Sequence, residues 1–272
     1  MAEFADLLRV APGAPLDLSA IDPRSTPGVE GDKDAAAAEL NALRDELEEF
    51  QLRLWAEGKR GLLIVLQAMD AGGKDGTIRK VFTAFNPQGT SVTGFGVPTE
   101  EELAHDFLWR IHRHTPGKGR IGIFNRSHYE DVLVVRVAEL APESVWSRRY
   151  DQINAWEALL AASGTTIIKL FLHISRGEQR ERFQKRLDDP GKRWKFSMGD
   201  LEVRERWDAY QAAYTDALAR CSTPGAPWFV VPADRKWYRD LAVARIVAAT
   251  ARAMNPQYPE PEEDLSGVVI PE

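Results

Sequence analysis

Gly61-Leu-Leu-Ile-Val-Leu-Gln67 runs directly into Ala68-Met-Asp-Ala-Gly-Gly-Lys-Asp-Gly-Thr77, and the order of these residues decides the fold. The first stretch is an unbroken apolar run of strand length, which predicts a strand covered on both faces, as in a parallel sheet. The second is rich in glycine and opens into Ile78-Arg-Lys-Val-Phe-Thr-Ala-Phe85, which reads as a helix. Strand, glycine loop and helix together are the context of a phosphate-binding loop. Glycine lets backbone N–H groups approach phosphate oxygens, the helix start adds its positive dipole end, and Lys74 supplies a mobile charge. A plain turn between strand and helix accounts for the glycines but not for a lysine at the helix start.

The loop departs from G-x-x-x-x-G-K-[ST] at two places: Ala68 stands at the first glycine and Asp75 at the Ser or Thr that holds magnesium. A Mg²⁺ that keeps several waters still needs one or two carboxylates. Asp70 and Asp75 are the candidates inside the loop. Ala71, Gly72, Gly73, Asp75, Gly76 and Thr77 are expected to surround the phosphates beside Lys74.

Working outward, further apolar runs lie at Ser91 to Phe95, Ile121 to Phe124, Thr166 to Ile174 and Trp228 to Val231, separated by helix-compatible stretches. This alternation predicts one α/β domain with a five-stranded parallel sheet and helices on both faces. Asp34 to Trp55 carries Leu40, Leu43, Leu47, Phe50 and Leu54 at helical spacing, and Asp234 to Met254 reads as a closing helix. Residues 1–33, broken by Pro12, Pro15, Pro23 and Pro27, are expected to form an arm laid over the surface, 34–254 the kinase-like domain and 255–272 an extended tail.

Ile121-Gly-Ile-Phe-Asn-Arg-Ser-His-Tyr-Glu-Asp131 also ends a predicted strand, at the sheet edge where α/β proteins bind ligands. Arg126 suits a bidentate clamp on a phosphoryl group, and Glu130 or Asp131 suits orientation of metal water or an attacking phosphate. Asn125 or Ser127 can equally cap a helix start there. The stretch from Arg176 to Tyr214 is charged and interrupted by Asp188-Asp-Pro-Gly191, and it reads as a basic helical hairpin. Its cations include Arg182, Arg186, Lys192, Arg193 and Lys195. Following the fourth strand, it stands where small P-loop kinases carry a lid that excludes water. Trp194 within it can stack on a base or close the lid.

With 272 residues, 44% hydrophobic and 28% charged, the chain has the composition of a globular enzyme. A net charge of −6 disfavours a general nucleic-acid binder. No apolar run is long enough for a membrane span and no leader pattern opens the chain, so the expectation is a cytoplasmic protein with no membrane partner. One cysteine, Cys221, allows no internal disulfide and reads as structural. The five histidines, His128 among them, show no metal-ligand spacing and are expected to be structural. Trp109, Trp146, Trp156 and Trp207 read as core.

The chain resembles the polyphosphate kinase 2 family, in the branch carrying Phe-Asn-Arg-Ser-His-Tyr-Glu-Asp. The similarity runs through Leu66 to Thr77, Phe85-Asn-Pro-Gln-Gly89, His105 to His112, Phe124 to Arg136, Asp189-Pro-Gly-Lys-Arg-Trp-Lys-Phe196 and Pro232-Ala-Asp-Arg-Lys-Trp-Tyr238. This resemblance implies a thymidylate-kinase-like P-loop fold, a three-layer sandwich with a basic helical lid. It implies Mg²⁺ dependence and reversible transfer of the terminal phosphoryl of inorganic polyphosphate to a nucleoside mono- or diphosphate. By motif, Asp70 and Lys74 match the family's loop residues, Arg126 its strand-end arginine, and Arg182 and Arg186 its lid positions for polyphosphate. Glu130 stands where other branches carry Asn, a difference associated with accepting monophosphates, so AMP and ADP are the expected acceptors and guanine nucleotides remain open. Asn125 replaces an Asp of other branches, and Gly96 a common Lys.

The expected mechanism is direct in-line transfer, with Lys74, Arg126 and the lid cations neutralising the donor and Asp70 and Glu130 holding Mg²⁺ and orienting the acceptor. An ATP-dependent nucleoside monophosphate or small-molecule kinase shares loop, lid and sheet. A non-catalytic nucleotide- or polyphosphate-binding module is the alternative from another class. The resemblance suggests a homodimer or homotetramer.

Overall fold

A computed structural model describes residues 2–263, 265 and 267–271. The strands are β1 (Gly61–Gln67), β2 (Thr90–Gly94), β3 (Ile121–Asn125), β4 (Thr165–His173) and β5 (Trp228–Pro232). The helices are α1 (Ala2–Leu8), α2 (Lys33–Glu57), α3 (Lys74–Val81), α4 (Glu100–Leu103), α5 (Trp109–His112), α6 (Val134–Val137), α7 (Glu143–Ala162), α8 (Arg176–Asp188), α9 (Gly199–Glu205), α10 (Trp207–Cys221) and α11 (Lys236–Met254).

All five strands are parallel, in the order β2-β3-β1-β4-β5. The most apolar run takes the centre: Leu62 to Leu66 of β1 have no solvent exposure. Thr90-Ser-Val-Thr-Gly94, with polar residues between, takes an edge and stays partly open. α2 and α3 both pack on α11 over one face, while α7 and α10 pack together over the other, as the three-layer expectation requires.

α2 begins where Asp32 accepts from the N–H groups of Asp34 and Ala35, and it ends at Gly58, whose φ of 63° is the left-handed conformation a helix stop favours. Its face of Leu43, Leu47, Phe50 and Leu54 is buried against α11. Each such side chain contributes about 1.5–3 kcal/mol relative to exposure.

Two segments differ from the sequence expectation in detail. The arm starts with α1, too short to show periodicity, and Phe4, Ala5, Leu8 and Val10 join the core. Val10 N–H donates to the Trp228 carbonyl at 2.9 Å, so the arm covers the β5 edge of the sheet. The hairpin after β4 returns through two helices that break at Arg206. From Trp207 onward Tyr210, Ala213 and Tyr214 are buried, because an apolar stripe draws α10 into the body.

Chain order reverses direction across β1. The chain moves to β2 and β3 on one side and later to β4 and β5 on the other. Such a switch point leaves a crevice at the carboxyl ends of the strands. The register pairs Leu66 with Asn125, which brings the residues after β1 beside those after β3.

Candidate functional site

The glycine loop fills that crevice. Its backbone folds on itself, with Gly72 N–H donating to the Met69 carbonyl at 2.9 Å and Thr77 N–H to Gly73 at 2.9 Å. Gly73, at φ 107°, caps α3 in a conformation that strains any side chain. Ala71 and Arg126 also hold positive φ, both 62°, and such non-glycine outliers mark a place where the surrounding fold imposes the geometry.

Lys74 is buried and its Nζ donates to the Ala68 carbonyl at 3.1 Å. Burial, then the charge of Arg126, pulls its amine below the usual lysine value, against Asp70, Glu130 and Asp75. Arg126 leaves β3 with its N–H on the Leu66 carbonyl at 3.0 Å, and its Nη2 reaches Asp70 Oδ1 at 2.7 Å. Asn125 Nδ2 donates to Asp75 Oδ1 at 2.8 Å. The two loops predicted to share one edge are therefore tied by two side-chain bonds.

Glu130 lies in the turn His128–Val132 after β3. Burial pushes its carboxyl up, while Arg126 and Lys74 oppose this. Its neighbour Asp131 is raised to about 6 by burial, against Arg149 and Arg110, and pairs with Arg149 at 2.9 Å. The turn is held from below by Glu157, which accepts from Tyr129 Oη at 2.9 Å and from Lys169 Nζ at 2.5 Å, with His128 Nε2 at 3.2 Å. His128 has no solvent exposure, as a structural histidine should.

A cavity of about 1030 Å³ opens over the loop. Asp70, Ala71, Gly72, Gly73, Lys74, Asp75 and Gly76 line it from below, Asn125 and Arg126 from β3, and Arg182, Arg186, Lys192 and Lys195 from the lid. Three expected residues do not line it, and one of them is Glu130, which stays in its buried turn behind the loop, within the field of Arg126, Lys74 and Asp70. Arg193 donates to the Leu187 carbonyl at 2.8 Å and does not line the cavity. Thr77 is buried one turn into α3, its Oγ1 without a protein partner.

Arg182 is engaged differently from a free phosphate-binding cation. Its Nη1 donates to the carbonyls of Ala71 and Gly72 at 2.9 and 3.1 Å, its Nη2 to Ala233 and Asp234 at 2.6 and 3.2 Å, and its Nε to Glu178 at 2.7 Å. It staples the loop to α8 and to the end of β5. Gln179, which sequence reading passed over, adds a 3.0 Å bond from Nε2 to the Asp70 carbonyl. Arg239 and Asp240 on α11 were also missed. The signal lay just after Pro232-Ala-Asp-Arg-Lys-Trp-Tyr238, at the end of the fifth strand.

Among the described residues no three His, Cys, Asp or Glu side chains form a ready metal cage. The carboxylates of Asp70 and Asp75 each commit one oxygen to a side-chain donor, Oδ1 in both cases. One or two carboxylates that complete their shell with water and substrate phosphates suit Mg²⁺.

A glycine loop opening a helix, a lysine within it and an arginine from the neighbouring strand, under a cationic helical segment, define a phosphotransferase of the P-loop kinase class. The comparison with known proteins agrees: the model of the family described as Polyphosphate kinase 2 matches residues 30–259. The chain belongs to the Polyphosphate kinase 2 family. It is 55% identical over 262 residues to the AMP/ADP-polyphosphate phosphotransferase of Meiothermus ruber, covering 96% of this chain and 98% of the relative. It is 43% identical to the ADP-polyphosphate phosphotransferase of Rhodopseudomonas palustris, covering 93% and 91%. The crystal structure of Polyphosphate Kinase 2 from Arthrobacter aurescens TC1 superposes with a TM-score of 0.93 at 45% identity, covering 96% of this chain and 93% of that one. No helix of the described residues is long and apolar enough to cross a membrane.

Proposed function

We propose that the chain moves the terminal phosphoryl group of inorganic polyphosphate to AMP and ADP, reversibly and with Mg²⁺, and that α8 to α9 act as the lid. The observation that carries this reading is the convergence of Asp70, Lys74 and Arg126 on one glycine loop beneath the lid cations Arg186, Lys192 and Lys195. The names of the Meiothermus ruber and Rhodopseudomonas palustris relatives support the substrates.

In this reading an acceptor phosphate oxygen attacks the terminal phosphorus in line, a new P–O bond forms, and the anhydride P–O bond to the shortened chain breaks. Loop N–H groups and Lys74 hold the transferring group. Arg126, kept in place by Asp70, neutralises charge that develops on it. Bound Mg²⁺ would supply further neutralisation of phosphate oxygens, held by Asp70 and Glu130. Carboxylate and guanidinium are positioned before substrate arrives, so little reorganisation is needed during transfer.

The test incubates purified protein with Mg²⁺, long-chain polyphosphate and either AMP or ADP, separating nucleotides over time. ADP and ATP formed from AMP is the expected result. Product from ADP alone would remove the argument from Glu130, and transfer only with an ATP donor would replace this reading with a small-molecule kinase.

A further inference from the structure

The chain leaves the sheet for the lid at Ser175, the residue that caps α8, and one carboxylate fixes it there. Asp234, just past the end of β5, accepts from Ser175 N–H at Oδ1 and from Ser175 Oγ at Oδ2, both at 2.8 Å. Ser175 Oγ in turn accepts from Glu178 N–H at 3.0 Å, closing the first turn of α8. The backbone of Asp234 is engaged as well. Its N–H donates to the Pro23 carbonyl of the arm at 3.1 Å, and its carbonyl accepts from Arg182 Nη2 at 3.2 Å. Through Arg182 the same residue is linked to the glycine loop. Asp234 does not line the cavity, so it acts on substrate only through the groups it holds.

The start of α8 governs its direction because little else does. Of its 13 residues only Gln179, Arg182 and Phe183 are buried. A helix with one buried apolar side chain is not oriented by core packing, so hydrogen bonds set its course. Gln179 and Arg182 fasten its middle to the glycine loop, and Asp234 fixes its first residue. The carboxylate also stands at the positive end of the helix dipole, where a negative group is favoured. At 1.5 Å per residue α8 is about 20 Å long, and a tilt of about 10° at its start moves the end that carries Arg186 by roughly 3 Å. A misplacement of about 1 Å already costs about 10²-fold in a reaction that depends on positioning.

We propose that Asp234 is a positioning residue for phosphoryl transfer: by clamping Ser175 it sets the angle at which α8 leaves the sheet, and so where the lid cations stand over the glycine loop. The proposal rests on the polyphosphate reading above. Ser175 and Asp234 form the hinge of the lid, and the arm joins that hinge through Pro23.

The experiment compares wild type with D234A, D234N and S175A in transfer from long-chain polyphosphate to ADP. Thermal unfolding of each protein is measured beside it, and so is trypsin cleavage at the exposed Lys192, Arg193 and Lys195, without and with polyphosphate. Asparagine keeps an acceptor for Ser175 N–H and offers an amide donor to Ser175 Oγ, whereas alanine keeps neither. In D234A kcat is expected to fall about 10–100-fold with KM for ADP unchanged. Polyphosphate should shield the lid from trypsin in wild type and not in D234A. D234N should recover most of the rate and of the shielding, and S175A, which keeps the bond from its N–H, should fall between wild type and D234A. A wild-type kcat in D234A overturns the proposal, and so does a D234N as slow as D234A or shielding that is equal in D234A and wild type. Should D234A unfold at the assay temperature, S175A decides, and a wild-type rate with full shielding there overturns the hinge. A wild type that takes phosphoryl groups from ATP but not from polyphosphate overturns the underlying reading instead.

Discussion

Arg126 Nη2 reaches Asp70 Oδ1 at 2.7 Å, joining the end of β3 to the loop after β1. The arginine pays for this position with a φ of 62°, so the contact is imposed by the fold. Because it aims a charged donor at the cavity, R126A is expected to lower kcat by roughly 10²–10³-fold, the loss seen when one transition-state donor is removed. R126K keeps charge without the planar fork and should recover only part of it. Initial rates with saturating polyphosphate and ADP decide the matter, and near-normal turnover in R126A would remove Arg126 from the machinery.

Gly73 makes a sharper demand on backbone. A side chain there meets a φ of 107° and a guanidinium nitrogen 2.0 Å from the new Cβ. G73A should therefore destabilise the fold by about 1–3 kcal/mol from backbone strain alone and abolish transfer by displacing the loop. Thermal unfolding and rate measured on the same preparation test both parts. A fully active G73A would show that Arg239 yields freely.

The ion pair below the site tests how the turn carrying Glu130 is supported. Lys169 and Glu157 have essentially no exposure, and Lys169 also donates to Tyr129 Oη at 2.9 Å and to the Cys221 carbonyl at 2.6 Å. K169M leaves Glu157 buried without its cation and should cost about 3–5 kcal/mol. Replacing both partners, as in E157Q/K169M, should recover much of that loss, since the uncompensated charge is gone. Chemical denaturation of the two variants and the parent gives the comparison; equal losses in both would show that the ion pair is not what matters.

How much of this was legible in the sequence depends on whether a property is local. The strands after Gly61, Ile121, Thr165 and Trp228 were readable because burial on both faces demands unbroken apolar runs. The glycine loop was readable because its chemistry sits within ten consecutive residues. Arg182 was not: on α8 it reads as one lid cation among several, and only the approach of Ala71, Gly72 and Ala233 turns its donors inward. Arg239 and Asp240 were hidden for the same reason, lying in a helix whose residues otherwise announce core. The helix α1 escaped because seven residues carry too little periodicity to be distinguished from an arm.

The acid limb of stability follows from His173, at the end of β4, 5% exposed. The contact between its Nε2 and the Ile21 carbonyl, 3.2 Å long, ties the arm to the sheet, and Nδ1 has no protein partner. Burial lowers its affinity for a proton below the usual value of 6.5, more than the Ile21 carbonyl and Asp234 raise it. The unfolded chain therefore binds the proton first. Stability contributed by the neutral imidazole is present above pH 6.5 and falls as the pH drops from there toward the lower folded value. His128, also lowered by burial, adds to the same slope. H173Q keeps an amide donor for Ile21 and removes one titrating group. Its urea midpoint should decline less steeply between pH 7 and pH 5 than that of the parent, by at most about 1.4 kcal/mol per pH unit. Parallel declines in the two proteins would mean that His173 takes its proton as readily folded as unfolded, and that the acid sensitivity arises elsewhere.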